Sequence, residues 1–329
     1  MRLCELIILS LCSTIWALDS RSVLSEGLRQ QLVETSRRIN PPTGYASPGW
    51  SNRAATVLTP IAEGVYTADR PFYWNNIDVS CRSTVIELPA RKGEKPDLWI
   101  HSPVSLDGPM DSLIKNLGNV KYVVSPNYEH LKFASQWYQG FPDAQMWGCP
   151  GLADKMDNIK FTGEIPTSYR PINWKKGSTF DDKAVIGWDS SVIQALHIDC
   201  EVNPFTGKPF FNEVIFYHEP SKALIATDFF WNYPADSVPN SQFGRDDTWE
   251  LAPLVEKVPL GSKLWKVGMD KIYAPFYNQF MVQNKKEYRD IVDHVLNVWD
   301  VEIVVPAHGD ILRGKEFIRD VLSKHFGVN

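Results

Sequence analysis

At 329 residues the chain is long enough for one large domain whose core buries most of its apolar surface, and too long for a peptide or a linker. Hydrophobic residues at 43%, charged residues at 22% and 12 Trp, 12 Tyr and 16 Phe exclude intrinsic disorder. The 34 basic and 39 acidic residues leave a net charge of -5, and no stretch gathers enough Lys or Arg to grip a polyanion, so nucleic acid is not an expected partner.

Met1-Arg2-Leu3 leads into the apolar run Leu6–Leu18, with small Ala17 near its end, which reads as a signal peptide over residues 1–17. An amphipathic or buried N-terminal helix is the alternative. The expected destination is the secretory pathway or the exterior, or a plastid reached by a secretory route. A bilayer span needs about 20 apolar residues. This run is shorter and no other window qualifies, so no stable membrane span is expected. Loss of the leader leaves Cys81, Cys149 and Cys200, enough for at most one internal disulfide.

Residues 18–53 read as a helical extension followed by a Pro/Gly-rich loop. Leu24, Leu28 and Leu32 recur every four residues, and Pro41, Pro42 and Gly44 then stop the helix. The main domain spans residues 54–329. It opens with β-type segments at Thr56–Thr59, Gly64–Ala68, Thr84–Leu88, Leu98–His101 and Lys121–Ser125, with a short helix at Gly108–Leu117. A second β-rich set covers Ala184–Trp188, Val192–Ile198, Glu213–His218 and Ala223–Thr227. The spacing of Tyr288, Ile291, Val292 and Val295 predicts a helix, Val301–Val305 a buried strand, and Phe317, Ile318, Val321, Leu322 and Phe326 a final helix. His294 and His325, within those helices, are expected to face solvent.

Three residues stand where chemistry is expected. His130 follows the strand Lys121–Ser125, His308 follows Val301–Val305, and both strands end in Pro-containing turns. Asp228 ends the strand Ala223–Thr227, and a carboxylate closing an apolar strand needs a partner.

These segments resemble the metallo-β-lactamase-like hydrolases. Val301-Glu-Ile-Val-Val-Pro-Ala-His308-Gly309 is similar to that superfamily's last metal-ligand strand, which ends in Pro-x-His-Gly. The hairpin from Val214 to Asp228 resembles the one ending in its metal-bridging aspartate. Tyr122-Val-Val-Ser125-Pro-Asn127-Tyr-Glu129-His130 lies where the superfamily has His-x-His-x-Asp-His. Leu98-Trp-Ile-His101-Ser-Pro103, Leu117–Asn127 and Pro142-Asp-Ala-Gln resemble, more narrowly, a subfamily of plants, algae, fungi and bacteria known only as a domain of unknown function.

The resemblance implies a four-layered αββα sandwich. It implies one divalent metal, Zn²⁺ or Fe²⁺, held by His130, His308, Asp228 and Glu129, because Ser125, Asn127 and Lys208–Phe211 replace the first site's histidines. His101, Asn127 and Ser125 would support the ligands from behind. The function implied is hydrolysis of a small-molecule ester, thioester or lactone, with Asp228 or Glu129 orienting a water. The alternative is an inactive sandwich serving as a binding or structural module, its site blocked by Phe210 and neighbours. Phe229, Phe230, Trp231 and Tyr233 pack under the sheet edge or form an apolar wall beside the metal.

Overall fold

The computed structural model describes residues 26–39, 50–52, 55–174, 186–233 and 257–328. The leader over residues 1–17 and most of the loop 40–53 lie outside the described residues. Helix α1 (Glu26–Ile39) is followed by strands β1 (Thr59–Ala62), β2 (Val65–Arg70), β3 (Tyr73–Trp74), β4 (Ile77–Asp78), β5 (Cys81–Glu87) and β6 (Asp97–His101). Next come α2 (Gly108–Leu117), β7 (Asn119–Ser125), α3 (Ala134–Gly140), β8 (Gln145–Gly148) and β9 (Gly163–Glu164). The second half holds β10 (Ile193–His197), β11 (Val214–His218), β12 (Ala223–Ala226), α4 (Leu260–Gly268), α5 (Lys285–Asn297), β13 (Ile303–Pro306), β14 (Leu312–Arg313) and α6 (Lys315–Phe326).

Seven strands form one sheet in the order β1-β2-β5-β6-β7-β8-β9, and five form a second in the order β10-β11-β12-β13-β14. The first sheet is antiparallel up to β6 and parallel from β6 to β9. In the second, only β12 and β13 run parallel.

The sheets are apolar on both faces because successive side chains point to opposite sides of a strand. In β6, Trp99 joins the inter-sheet core while Leu98 and Ile100 turn outward onto Met110 and Ile114 of α2 and Trp137 of α3. In β11, Phe216 points inward, and Ile215 and Tyr217 meet Ile291 and Val295 of α5 and Ile318 and Leu322 of α6. The layers therefore run helix, sheet, sheet, helix, the metallo-β-lactamase-like αββα sandwich expected from the sequence. No described helix is long and apolar enough to cross a membrane.

Some local expectations move. The first strand starts at Thr59 rather than Thr56. Residues 186–188 make a bend instead of a strand, with the Trp188 indole donating to Ile193 O at 3.0 Å; Ala184 lies outside the described residues. His294 does not face solvent but is buried between Trp174 and Trp299, at centroid distances of 4.9 and 5.1 Å. His325 is half-buried against Phe230 and Trp231. Cys81, Cys149 and Cys200 are all free thiols.

Two stretches lacked a legible period. Helix α3 spans seven residues without a side-chain cap. Over residues 260–281, α4 continues through π turns at Met269–Tyr273 and Tyr277–Met281, which shift the apolar repeat off 3.6 residues.

Candidate metal centre

The carboxyl ends of β6, β7, β12 and β13 open on the same edge of the sandwich, and their loops bring His130, Asp228 and His308 together. One nitrogen of each imidazole and one carboxylate oxygen lie within 4.8 Å of one another. His130 Nε2 stands 3.2 Å from His308 Nε2 and 3.3 Å from Asp228 Oδ2, and His308 Nε2 is 3.6 Å from Asp228 Oδ1.

Each of the three is fixed from behind. Asn127, fully buried just after β7, accepts the backbone N–H groups of Glu129 and His130 on Oδ1 at 3.0 and 2.9 Å. Its Nδ2 donates to Asp228 Oδ2 at 2.6 Å and to Thr227 Oγ1 at 2.9 Å. The loop of Asp228 is clasped by Glu213, whose carboxylate accepts the N–H groups of Thr227, Asp228 and Phe229 at 2.6 to 2.8 Å. His308 Nδ1 faces the carbonyl oxygens of Val79 and Ser80 at 3.1 and 2.9 Å. Facing two acceptors, that nitrogen carries the proton, so in the neutral ring the Nε2 lone pair points at Asp228 and His130. His130 Nδ1 pairs with Ser102 Oγ at 2.8 Å.

Two imidazole Nε2 atoms at 3.2 Å require a cation or a shared proton between them. Without a metal the proton takes that role. Burial opposes a charge on His130, but the carboxylate of Asp228 and the Cys81 thiol outweigh it and carry the imidazole up to about 10. Burial dominates at His308 and lowers it. Asp228 is pushed upward by burial, yet His130, His308 and Asn127 together hold it below the ordinary carboxylate range.

The other expected site residues fall differently. Glu129 is exposed and outside the three-residue cluster; its carboxylate lines the same pocket, with its proton held more tightly by partial burial and by the charge of Asp228. Ser125 is fully buried, and its hydroxyl has no hydrogen-bond partner. His101 does not back a ligand: its ring stacks on Trp99 and meets Phe216 edge-on, and neither nitrogen is hydrogen-bonded. Burial, then the nearby charge of His130, hold it down to about 3, so it stays neutral.

Sequence reasoning missed Glu213, Ser102, the Val79 and Ser80 carbonyls, and Cys81 beside His130. Only Ser102 carried a signal, since it directly follows a strand that ends at the site.

Above the cluster opens a pocket of about 400 Å³ walled by Phe72, Trp74, Phe133, Phe210, Phe211, Tyr233, Trp265, Met269 and Tyr273. Phe210 and Phe211 line it without closing it, so the expected blockage does not occur. Tyr233 forms part of the wall, whereas Phe229 and Phe230 are buried in the outer core against α5 and α6.

The fold and the cluster together define a metallo-β-lactamase-like sandwich with a candidate metal centre at its strand-end edge. The chain belongs to the family described as Domain of unknown function (DUF4336), whose model matches residues 62–248, more than half of the chain. No curated protein matches it. Solved structures similar to it include a metallo-β-lactamase from Hirschia baltica, at 8% identity over 82% of this chain and 96% of that one with a TM-score of 0.47. The metallo-β-lactamase FIM-1 from Pseudomonas aeruginosa in its mono-zinc form is 8% identical over 82% and 93%, with a TM-score of 0.42. The flavodiiron protein from Giardia intestinalis is 15% identical over 82% of this chain and 59% of that one, with a TM-score of 0.47.

Proposed function

We propose that the chain is a metal-dependent hydrolase of a small ester, thioester or lactone whose apolar part occupies the pocket. His130, Asp228 and His308 hold a single divalent ion, Zn²⁺ or Fe²⁺, with Glu129 beside them on the pocket side. The observation that carries this reading is the triangle of two Nε2 atoms and a carboxylate at the floor of an apolar pocket. Ligands bound at about 2.05 Å in a tetrahedron stand roughly 3.4 Å apart. Here the two Nε2 atoms are 3.2 Å apart, and the Asp228 carboxylate sets Oδ2 3.3 Å from His130 and its other oxygen, Oδ1, 3.6 Å from His308. Imidazole and carboxylate donors suit either ion.

When bound, the ion supplies Lewis acidity, polarising a carbonyl or acidifying a water. The chain supplies the rest. Asn127 keeps the Asp228 carboxylate aimed at the two imidazoles, Glu129 orients the attacking water and takes its proton, and the aromatic walls seat the acyl or ring portion away from solvent. Export is part of the proposal: residues 1–17 act as a signal peptide, and N-terminal sequencing of the mature protein should find Leu18 first.

The alternative is an inactive binding or structural module. It draws on Ser125 and Asn127, which leave the loop after β7 with only Glu129 and His130 as donors. Elemental mass spectrometry of purified protein decides between the two, with His130→Ala and His308→Ala alongside. The hydrolase reading expects about one equivalent of Zn or Fe in wild type, lost in both variants together with hydrolysis of a panel of esters, thioesters and lactones. Wild type that stays metal-free after reconstitution establishes the module.

A further inference from the structure

The helical stretch over residues 260–281 has two apolar sides. Trp265, Met269 and Tyr273, four residues apart, face the pocket. Leu260, Leu264, Val267 and Ile272 lie on the other side, with 72%, 62%, 57% and 73% of their surface exposed. Burial of the site therefore accounts for only one of these sides.

The exposed side continues onto the β3–β4 hairpin. Asn75 and Asn76, both at positive φ, make its two-residue turn and project Tyr73 and Trp74, which are 66% and 54% exposed. Trp74 also stands at the pocket. Ser262 ties helix to hairpin, its Oγ donating to Asp78 O at 2.9 Å and accepting from the Trp50 indole at 3.0 Å. Pocket rim and apolar face thus belong to one rigid surface.

Its charge differs from that of the whole chain. From Lys257 to Tyr273 the sequence has four lysines, Lys257, Lys263, Lys266 and Lys271, against a single acid, Asp270, so the segment carries +3 (four minus one) in a chain of net -5. Asp270 pairs with Lys266. Lys132 adds a further cation at the pocket, 5.1 Å from the Phe72 ring centroid.

We propose that this helix and hairpin seat the pocket mouth on a membrane surface bearing anionic lipids. Leu260, Leu264, Val267 and Ile272 enter the acyl boundary, Tyr73 and Trp74 sit at headgroup depth, and the lysines meet the lipid phosphates. A second copy of the chain is a poorer occupant, because it would set the same lysines against each other. An apolar substrate would then pass from the lipid past Trp74 into the pocket. The docking itself does not depend on a bound metal.

The test is co-sedimentation of the full chain with vesicles of phosphatidylcholine alone and of phosphatidylcholine mixed with phosphatidylglycerol. Wild type should pellet with the anionic vesicles at least about tenfold more strongly than with the neutral ones. Leu264→Asp and Val267→Asp should abolish this, and Lys271→Glu should weaken it. All three positions are exposed, so circular dichroism and Tm should stay unchanged in the variants. Absence of wild-type pelleting, equal binding to both vesicles, or full binding by Leu264→Asp overturns the proposal. Lipid-independent dimerisation that Leu264→Asp disrupts would also overturn it, by assigning the face to a second copy.

Discussion

Asn127 and Asp228, 101 residues apart in the chain, are joined by a 2.6 Å hydrogen bond from Nδ2 to Oδ2. The same amide accepts the N–H groups of Glu129 and His130, so one buried side chain sets both the loop after β7 and the carboxylate after β12. Truncation would leave two backbone donors without their acceptor and take one donor from the Asp228 carboxylate. Asn127→Ala should cost on the order of 2 kcal/mol of stability and weaken metal binding by roughly 10- to 100-fold. Chelator competition followed by thermal melts would measure both, and a variant with wild-type metal affinity would remove Asn127 from the site.

Gly309 sets the backbone beside His308. Its φ is +90°, and a Cβ there would fall 2.1 Å from the carbonyl oxygen of Asn232. Backbone rather than a pliable side chain stands in the way, so the loop itself would have to move. Gly309→Ala should destabilise the chain by about 3 kcal/mol or more and draw His308 off the cluster. Urea melts and metal content of the same sample check this; a normal metal content would show that the loop absorbs the clash without moving the imidazole.

The residues that converge on the site are those whose position in the chain announces them. His130, Asp228 and His308 each follow an apolar strand, and polar groups at strand ends meet on one sheet edge. Their supports are not legible in the same way. Glu213 directly precedes the apolar strand Val214–His218, and nothing local says that its carboxylate will clasp a loop 14 to 16 residues away. Asn127 reads as a missing histidine until the position of Asp228 is known. His101 shows the converse: a polar residue at a strand end looks like part of a site, yet the strand's alternation turns it inward onto Trp99 and Phe216. The layers came from the resemblance carried by the strand-end segments, whereas the helical stretch over residues 260–281 was hidden by its π turns and Pro275.

Glu129 separates ligand from base. Its carboxyl is raised by partial burial and by the charge of Asp228, so the acidic limb of kcat/KM should lie above the ordinary carboxylate range. Glu129→Gln should keep most of the metal, because three donors remain, and lower kcat by about 10²-fold or more. Asp228→Asn should lose the metal. If Glu129→Gln lost metal as completely as His308→Ala while sparing the residual rate, Glu129 would be a ligand and not the base.

The metal-free chain should report the Asp228–His130 pair through its pH dependence. His130 is raised from an ordinary 6.5 to about 10 in the folded protein. A group whose folded pKa exceeds its unfolded one stabilises fully below the unfolded value, and that stabilisation fades as pH climbs through the folded value. Chelator-treated wild type should therefore lose stability, on the order of a few kcal/mol, between about pH 6.5 and 10. In Asp228→Asn the main influence raising the imidazole is gone, leaving burial, which lowers it, against the smaller effect of Cys81, and this alkaline loss should shrink. Denaturant melts of both proteins across that range, with the His130 ring titrated by NMR, give the comparison. A wild-type stability flat from neutral to alkaline pH would mean that the metal-free pair does not share its proton as the 3.3 Å contact implies.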